Sequence, residues 1–375
     1  MNRSQPIFAL CALVAVISLL SDVSRAAEAT KDPAKPASPA KSAPPAKAAA
    51  PAQPAQPTEA EKAQQAKVIE GAKKEGEMVW YTTTTLDQSQ PIIEAFQKKY
   101  PFIKGTLFRT GGGPMLNKVL TETRSGLHAW DVLVGRGEMV LPLRDKKLLA
   151  AYISPERKGI FPDLADKRGI WTAWYVNAYV LGYNTKLVKK EDVPKTYEAL
   201  LNPKWKGGQI SVDDEAYGML QGLIGVWGKE KAVAYFKRLA ALDPVPKRGN
   251  TQRVQLTIAG EYPLIIAYNQ TIERMVQRKA PIDWVPLEPA VVQVNPAMVA
   301  ANAPHPNSAR LFMDFILSKE GAEMLRGFSR IPVRTDVEPD PPRLFRGYKR
   351  VIESPDGYKN FDETVKLYMD IFKLR

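Results

Sequence analysis

The chain has 375 residues, with 53 Lys and Arg against 40 Asp and Glu, a formal net charge of +13 at pH 7, and a single cysteine, Cys11. One cysteine excludes a disulfide framework and Cys-ligated zinc, and the basic balance favours anionic ligands or anionic surfaces. Nucleic acid is disfavoured as a partner, because no basic run with interleaved aromatics occurs.

In chain order, Arg3 precedes an apolar stretch from Ile7 to Leu20 that is too short to span a bilayer and reads as an export signal, residues 1–26. Ala26 and Ala29 are candidate cleavage positions. Cys11 lies inside this stretch, and Leu10 before it does not suit a lipidation signal, so the exported protein is expected to carry no thiol. Residues 27–57 are almost entirely Ala, Pro, Lys, Ser and Gln, a linker with nothing to bury. As a partly polyproline-like spacer at about 3.1 Å per residue it reaches up to roughly 90 Å; a solubilising tail without a partner is the alternative.

The folded part opens with an amphipathic helix over 59–75, closed by Gly76, followed by the buried strand "EMVWYT". Ile92, Ile93, Phe96 and Tyr100 then recur at helical spacing, with Asp87 or Ser89 expected as the cap and Pro91 in the first turn. The unit repeats as the strand "GTLFRT", the loop "GGGP" and a helix opened by Pro114 and closed by Gly126; a third strand covers 131–135. After the long apolar segment 169–185 come a strand "QISV", helices over 216–227 and 229–242, and a strand in "YPLIIAYN". A late helix carries Ala309, Phe312, Met313 and Ile316 on one stripe, with Asn307 as its expected cap. Strands alternating with helices through both halves predict an α/β protein of two lobes with parallel sheets, and in such sheets ligands bind beyond the carboxyl ends of the strands.

Four stretches carry a family resemblance: "VWYTTTTLDQSQPIIEAFQKKYP", "GGGPMLNKVLTETRSGLHAWDVLV", "LGYNTKLV" with "VPKTYEALLNPKWKGGQISV", and "VAANAPHPNSARLFMDFILSKEGAEML". In this order, across most of residues 76–330, the chain resembles the solute-binding proteins of ABC importers with the type II periplasmic binding fold, in the branch of ferric-ion, thiamine, polyamine and phosphonate binders. The resemblance implies two lobes joined by crossing strands, 58–175 with 283–330 and 176–282, and a C-terminal helical segment 331–375 packed on a lobe. It implies a periplasmic monomer that closes on a small solute, delivers it to an inner-membrane ABC permease, and needs no cofactor.

The same resemblance marks the cleft. It implies contacts from Thr82, Thr83 and Thr84 after the first strand; Arg109, Gly112 and Gly113 after the second; and Arg136 after the third. The crossing region adds Trp174 and Tyr175, and the second lobe Asp213, Tyr217, Thr251 and Tyr268. Read from the residues, hydroxyls and backbone N–H groups at a helix start suit a carboxylate, phosphate or phosphonate. "TGGGP" is no P-loop, lacking the Lys-Ser/Thr pair. Arg109 and Arg136 are either clamps or solvated charges, Trp174 and Tyr175 either stacking platforms or core. Asp213 to Glu215 either favour a helix start or draw an amine or metal.

Ferric-binding members present two adjacent tyrosines near the strand corresponding to "IIAYNQ", whereas here Asn269 follows Tyr268, threonines stand where many of them place a His, and His128 and His305 lack metal spacing. No metal site is therefore expected, and the expected ligand is a small anionic organic solute of carboxylate or phosphonate type. An atypical ferric site, an exported enzyme and a sensory binding subunit stay as alternatives; the enzyme finds no support in a Gly-x-Ser-x-Gly elbow or a His-based metal pattern.

Overall fold

The computed structural model describes residues 58–374; the expected export signal and the linker 27–57 lie outside the described residues. Helix α1 (Glu59–Glu75) begins with a reciprocal cap: the Thr58 hydroxyl accepts from the Glu61 N–H while the Glu61 carboxylate accepts from the Thr58 N–H at 2.7 Å. Gly76, at φ 70°, ends it. Then β1 (Glu77–Thr82), α2 (Leu86–Lys99), β2 (Lys104–Arg109), α3 (Gly112–Arg124) and β3 (Val132–Val134) follow. β1 runs parallel between β2 and β3, with Thr82 opposite Arg109 on one side and Val134 on the other. All three strands therefore release their loops at one level, which builds one wall of a cleft.

Helix α4 (Val140–Asp145) and β4 (Leu149–Ala150) lead to β5 (Thr172–Asn184), whose thirteen residues are all buried. The second half holds α5 (Tyr197–Leu200), β6 (Ile210–Asp213), α6 (Tyr217–Trp227), α7 (Lys229–Ala240), β7 (Val245–Lys247), α8 (Asn250–Ala259), β8 (Leu264–Tyr268), α9 (Asn269–Gln277) and β9 (Ile282–Val285). The chain returns through β10 (Ala290–Ala300), α10 (Pro306–Leu317), α11 (Lys319–Gly327), β11 (Ile331–Pro332), β12 (Arg350–Glu353) and α12 (Phe361–Phe372).

Two strands cross between the lobes. β5 pairs with β10 antiparallel up to Ala178, and from Tyr179 onward lies between β8 and β9. β10 pairs with β12 at its start and with β3 and β4 at its end. The strand order β2-β1-β3-β10-β5-β8-β6-β7 thus joins two sheets through β10 and β5, the two-lobed α/β fold with crossing strands that the resemblance implied. One hydrophobic core runs from β1, α2 and α10 through to α9; a second gathers α6, α7, β6 and α12 around Leu220, Leu223 and Phe236.

Local expectations differ in four places. The cap of α2 is Thr85, not Asp87 or Ser89, so Pro91 sits inside the helix rather than in its first turn and leaves the Asp87 carbonyl without its helical donor. Asn307 is not the cap of α10. His305 holds that place, and the Glu75 carboxylate from α1 accepts from the Asn307 and Ser308 N–H groups at 3.0 and 2.8 Å, satisfying the free donors from outside the helix. Helix α3 opens at Gly112, so Gly112 and Gly113 belong to its first turn and Pro114 does not begin it. The C-terminal segment is not simply helical: β11 adds to β5 and β12 to β10 before α12 packs on α6 and α7. No helix among the described residues is long and apolar enough to cross a membrane.

Candidate functional site

A cavity of about 450 Å³ lies where the loops after β1, β2 and β3 face α8, β8 and α9 across the crossing strands. Its volume suits a small molecule. A larger hollow of about 680 Å³ between α1 and residues 152–158 lies on the outside of the first lobe, away from the strand ends and from the second lobe.

Strand alternation sorts the first wall. Thr83 and Thr85 line the cavity, while Thr82 and Thr84 turn into the protein: the Thr82 hydroxyl accepts from the Thr84 N–H at 3.0 Å, and the Thr84 hydroxyl lies 3.2 Å from the Tyr175 hydroxyl. The same alternation on β5 turns Tyr175 and Asn177 to the cavity and buries Trp174 edge-on against Trp80, ring centroids 5.6 Å apart. Arg109, Gly112 and Arg136 are part of the lining. A Cβ on Gly112 would stand 3.3 Å from Arg136 Cδ and Nε, so the bare glycine is what lets this arginine lie over the start of α3. Gly113 points to solvent.

From the second lobe, Thr251 and Tyr268 reach the cavity, and Asp213 and Tyr217 do not. Asp213 stands behind the wall, accepting from Arg253 Nη2 at 2.9 Å and from Asn250 Nδ2 at 3.1 Å, while the Asn250 Oδ1 in turn accepts from the Tyr268 N–H at 3.0 Å. It braces the wall from behind. Tyr217 packs against Phe361 and Tyr368. The Tyr268 hydroxyl donates to Gln293 Oε1 at 2.7 Å and lies 3.2 Å from the Tyr179 hydroxyl. Burial pushes the Tyr268 phenol above its ordinary range, only partly offset by Arg136, so it is neutral at physiological pH.

Sequence reasoning missed Arg274 and Arg330. Arg330 precedes β11 and is 6 % exposed; its Nε donates to Gln88 Oε1 at 2.9 Å, its Nη1 to Asn177 Oδ1 at 3.2 Å, and its guanidinium lies 4.3 Å from the Tyr175 ring centre. No carboxylate pairs with it among the described residues. Arg274 on α9 donates to Asp87 across the cleft at 3.3 Å, and its Nε has no partner. Arg136 has Glu215 at 3.5 Å and Glu138 at 3.8 Å. Four arginines therefore line the cavity, and among the described residues no Asp or Glu does. No local signal marks Arg330, since its place depends on β11 pairing with β5; Arg274 sits on a helix the sequence reading did not resolve.

Residues 139–346 match the model of a family described as bacterial extracellular solute-binding protein. An uncharacterized protein of Haemophilus influenzae is 25% identical over 267 residues, 68% of this chain and 76% of that protein. Iron-bound HitA from Pseudomonas aeruginosa matches with a TM-score of 0.70 at 22% identity, over 79% of this chain and 99% of that one. The periplasmic binding protein AfuA from Actinobacillus pleuropneumoniae, with fructose-6-phosphate bound, matches with a TM-score of 0.70 at 25% identity, over 80% of this chain and 99% of that one. Both share the fold described above.

Proposed function

The chain belongs to the bacterial extracellular solute-binding protein family, and from that premise we propose that it captures a small organic anion, a phosphate ester, phosphonate or carboxylate, in the cleft between its lobes and hands it to an ABC permease. In this reading it is a periplasmic monomer and not an enzyme, with residues 58–175 and 283–330 moving as one lobe and 176–282 as the other. The export signal read in Ile7 to Leu20 and the periplasmic location of AfuA support the compartment.

The single observation that carries the ligand class is Arg330. An arginine that is 6 % exposed and has no carboxylate partner among the described residues sits at a cost of several kcal/mol unless an opposite charge arrives. An anion in the cavity supplies it, and a charged hydrogen bond of this kind contributes about 1.5–3 kcal/mol. Ferric ion is the second reading, favoured by iron-bound HitA and by the two phenols Tyr175 and Tyr268 in the lining. Against it stand four guanidiniums in the lining, one of them directly over the Tyr175 ring.

A thermal-shift screen of the purified protein tests the reading. Phosphate esters or hydroxycarboxylates are expected to raise the melting temperature, with ferric ion giving no rise. A rise with ferric ion and with none of the anions contradicts the anion reading. Loss of solute uptake on deletion of the gene separates transport from sensing.

A further inference from the structure

The two ends of the cavity are built alike, and from that likeness we infer that the ligand is bis-anionic: a small hydroxylated molecule with an anionic group at each end. This rests on the anion reading above and adds to it the number and spacing of the charges.

One end is the start of α3, where Arg136 lies over Gly112 and Arg109 leaves the end of β2. The other is beside the start of α2, where Gln88 holds Arg330 and Asp87 meets Arg274. At each end one guanidinium has a carboxylate neighbour and one has none among the described residues. Arg136 has Glu215 at 3.5 Å and Glu138 at 3.8 Å, and Arg274 has Asp87 at 3.3 Å; Arg109, exposed to solvent, and Arg330, buried, have no carboxylate within ion-pair distance among the described residues. β2 carries Arg109, and β5 carries the Asn177 that anchors Arg330. These strands stand four places apart in the sheet order, roughly 19 Å of backbone at about 4.8 Å per strand. A single carboxylate or phosphate matches one arginine fork and serves one end; an arginine without a carboxylate neighbour at each end suits two anionic groups.

The body between the groups follows from side chains that are buried without partners. Asn295 and Gln270, each 3 % exposed, both line the cavity, and Asn295 Nδ2 and Gln270 Oε1 lack hydrogen-bond partners. A free donor and a free acceptor, each costly to leave unpaired, suit hydroxyl groups, which donate and accept.

Titration calorimetry on the purified protein tests the inference with two pairs of probes, fructose 1,6-bisphosphate against fructose 6-phosphate and tartrate against glycerate. In at least one pair, the probe with an anionic group at each end is expected to bind tenfold or more tightly than the probe with a single anionic group. R330M and R109M are each expected to bring that ratio close to one. Arg109 is exposed, so R109M keeps the test available if R330M does not fold. Equal affinity within both pairs, or a ratio unchanged in a folded variant, overturns the bis-anionic inference while leaving the anion reading standing. Binding of ferric ion with no binding of any of the four probes overturns both.

Discussion

At Thr82 to Thr85 the chain keeps a strand's alternation beyond the end of β1, so Thr83 and Thr85 face the cavity and their neighbours face the protein. That a strand passes into a loop here was legible, because a run of β-branched residues before a helix start reads that way. Which threonine faces the ligand was not, since the facing depends on register against β3, where the Thr83 N–H meets the Val134 carbonyl at 3.0 Å. Asp314 gives a prediction at the same scale. It is buried on α10, its Oδ1 accepting from Ser154 Oγ at 2.6 Å and Tyr152 Oη at 2.8 Å while Oδ2 has no partner. Burial pushes its carboxyl up to about 6, against the hydrogen bonds from Ser154 and Tyr152. The folded protein then holds a proton that the unfolded chain has released, so stability is highest below the unfolded value, falls between about pH 4 and 6, and stays lower above. The fall is on the order of 2–3 kcal/mol. Asp314→Asn is expected to flatten this part of the pH–stability curve and to raise the melting temperature at pH 7 relative to the parent. A curve that keeps the same fall in the variant places its cause elsewhere.

Among the elements, helices with a strong apolar stripe and a glycine stop were readable: α1 ends at Gly76, and the chain turns at Gly126 with φ 73° after α3. Caps and short strands were less so. Asn307 is a good cap residue by type, yet the donors at the start of α10 are taken by Glu75, which arrives from α1 more than 200 residues earlier. Such a cap exists only once the two helices pack, and no window of sequence contains it. Glu75→Ala removes the acceptor for Asn307 and Ser308 and is expected to destabilise the fold by about 1–2 kcal/mol, read as a lower denaturant midpoint with an unchanged slope. An unchanged midpoint means that water serves these donors as well as the carboxylate does. β11 and β12 escaped notice for a related reason: two and four residues long, they gain their identity from pairing with β5 and β10.

For the whole molecule, the alternation of strands and helices and the family resemblance led to two lobes with crossing strands, while the arginines of the cleft depended on long-range pairing that periodicity does not carry. The lobes meet in two ion pairs that share those arginines, Arg136 with Glu215 and Arg274 with Asp87. A ligand touching both lobes shifts the population toward the closed form. The central claim, an organic anion in that cleft, is tested most directly by native mass spectrometry of protein purified straight from the cells that make it. The expected result is a non-covalent adduct that denaturation releases as a free organic anion carrying phosphate, phosphonate or carboxylate groups. An adduct with the mass of ferric ion and no organic anion would contradict it.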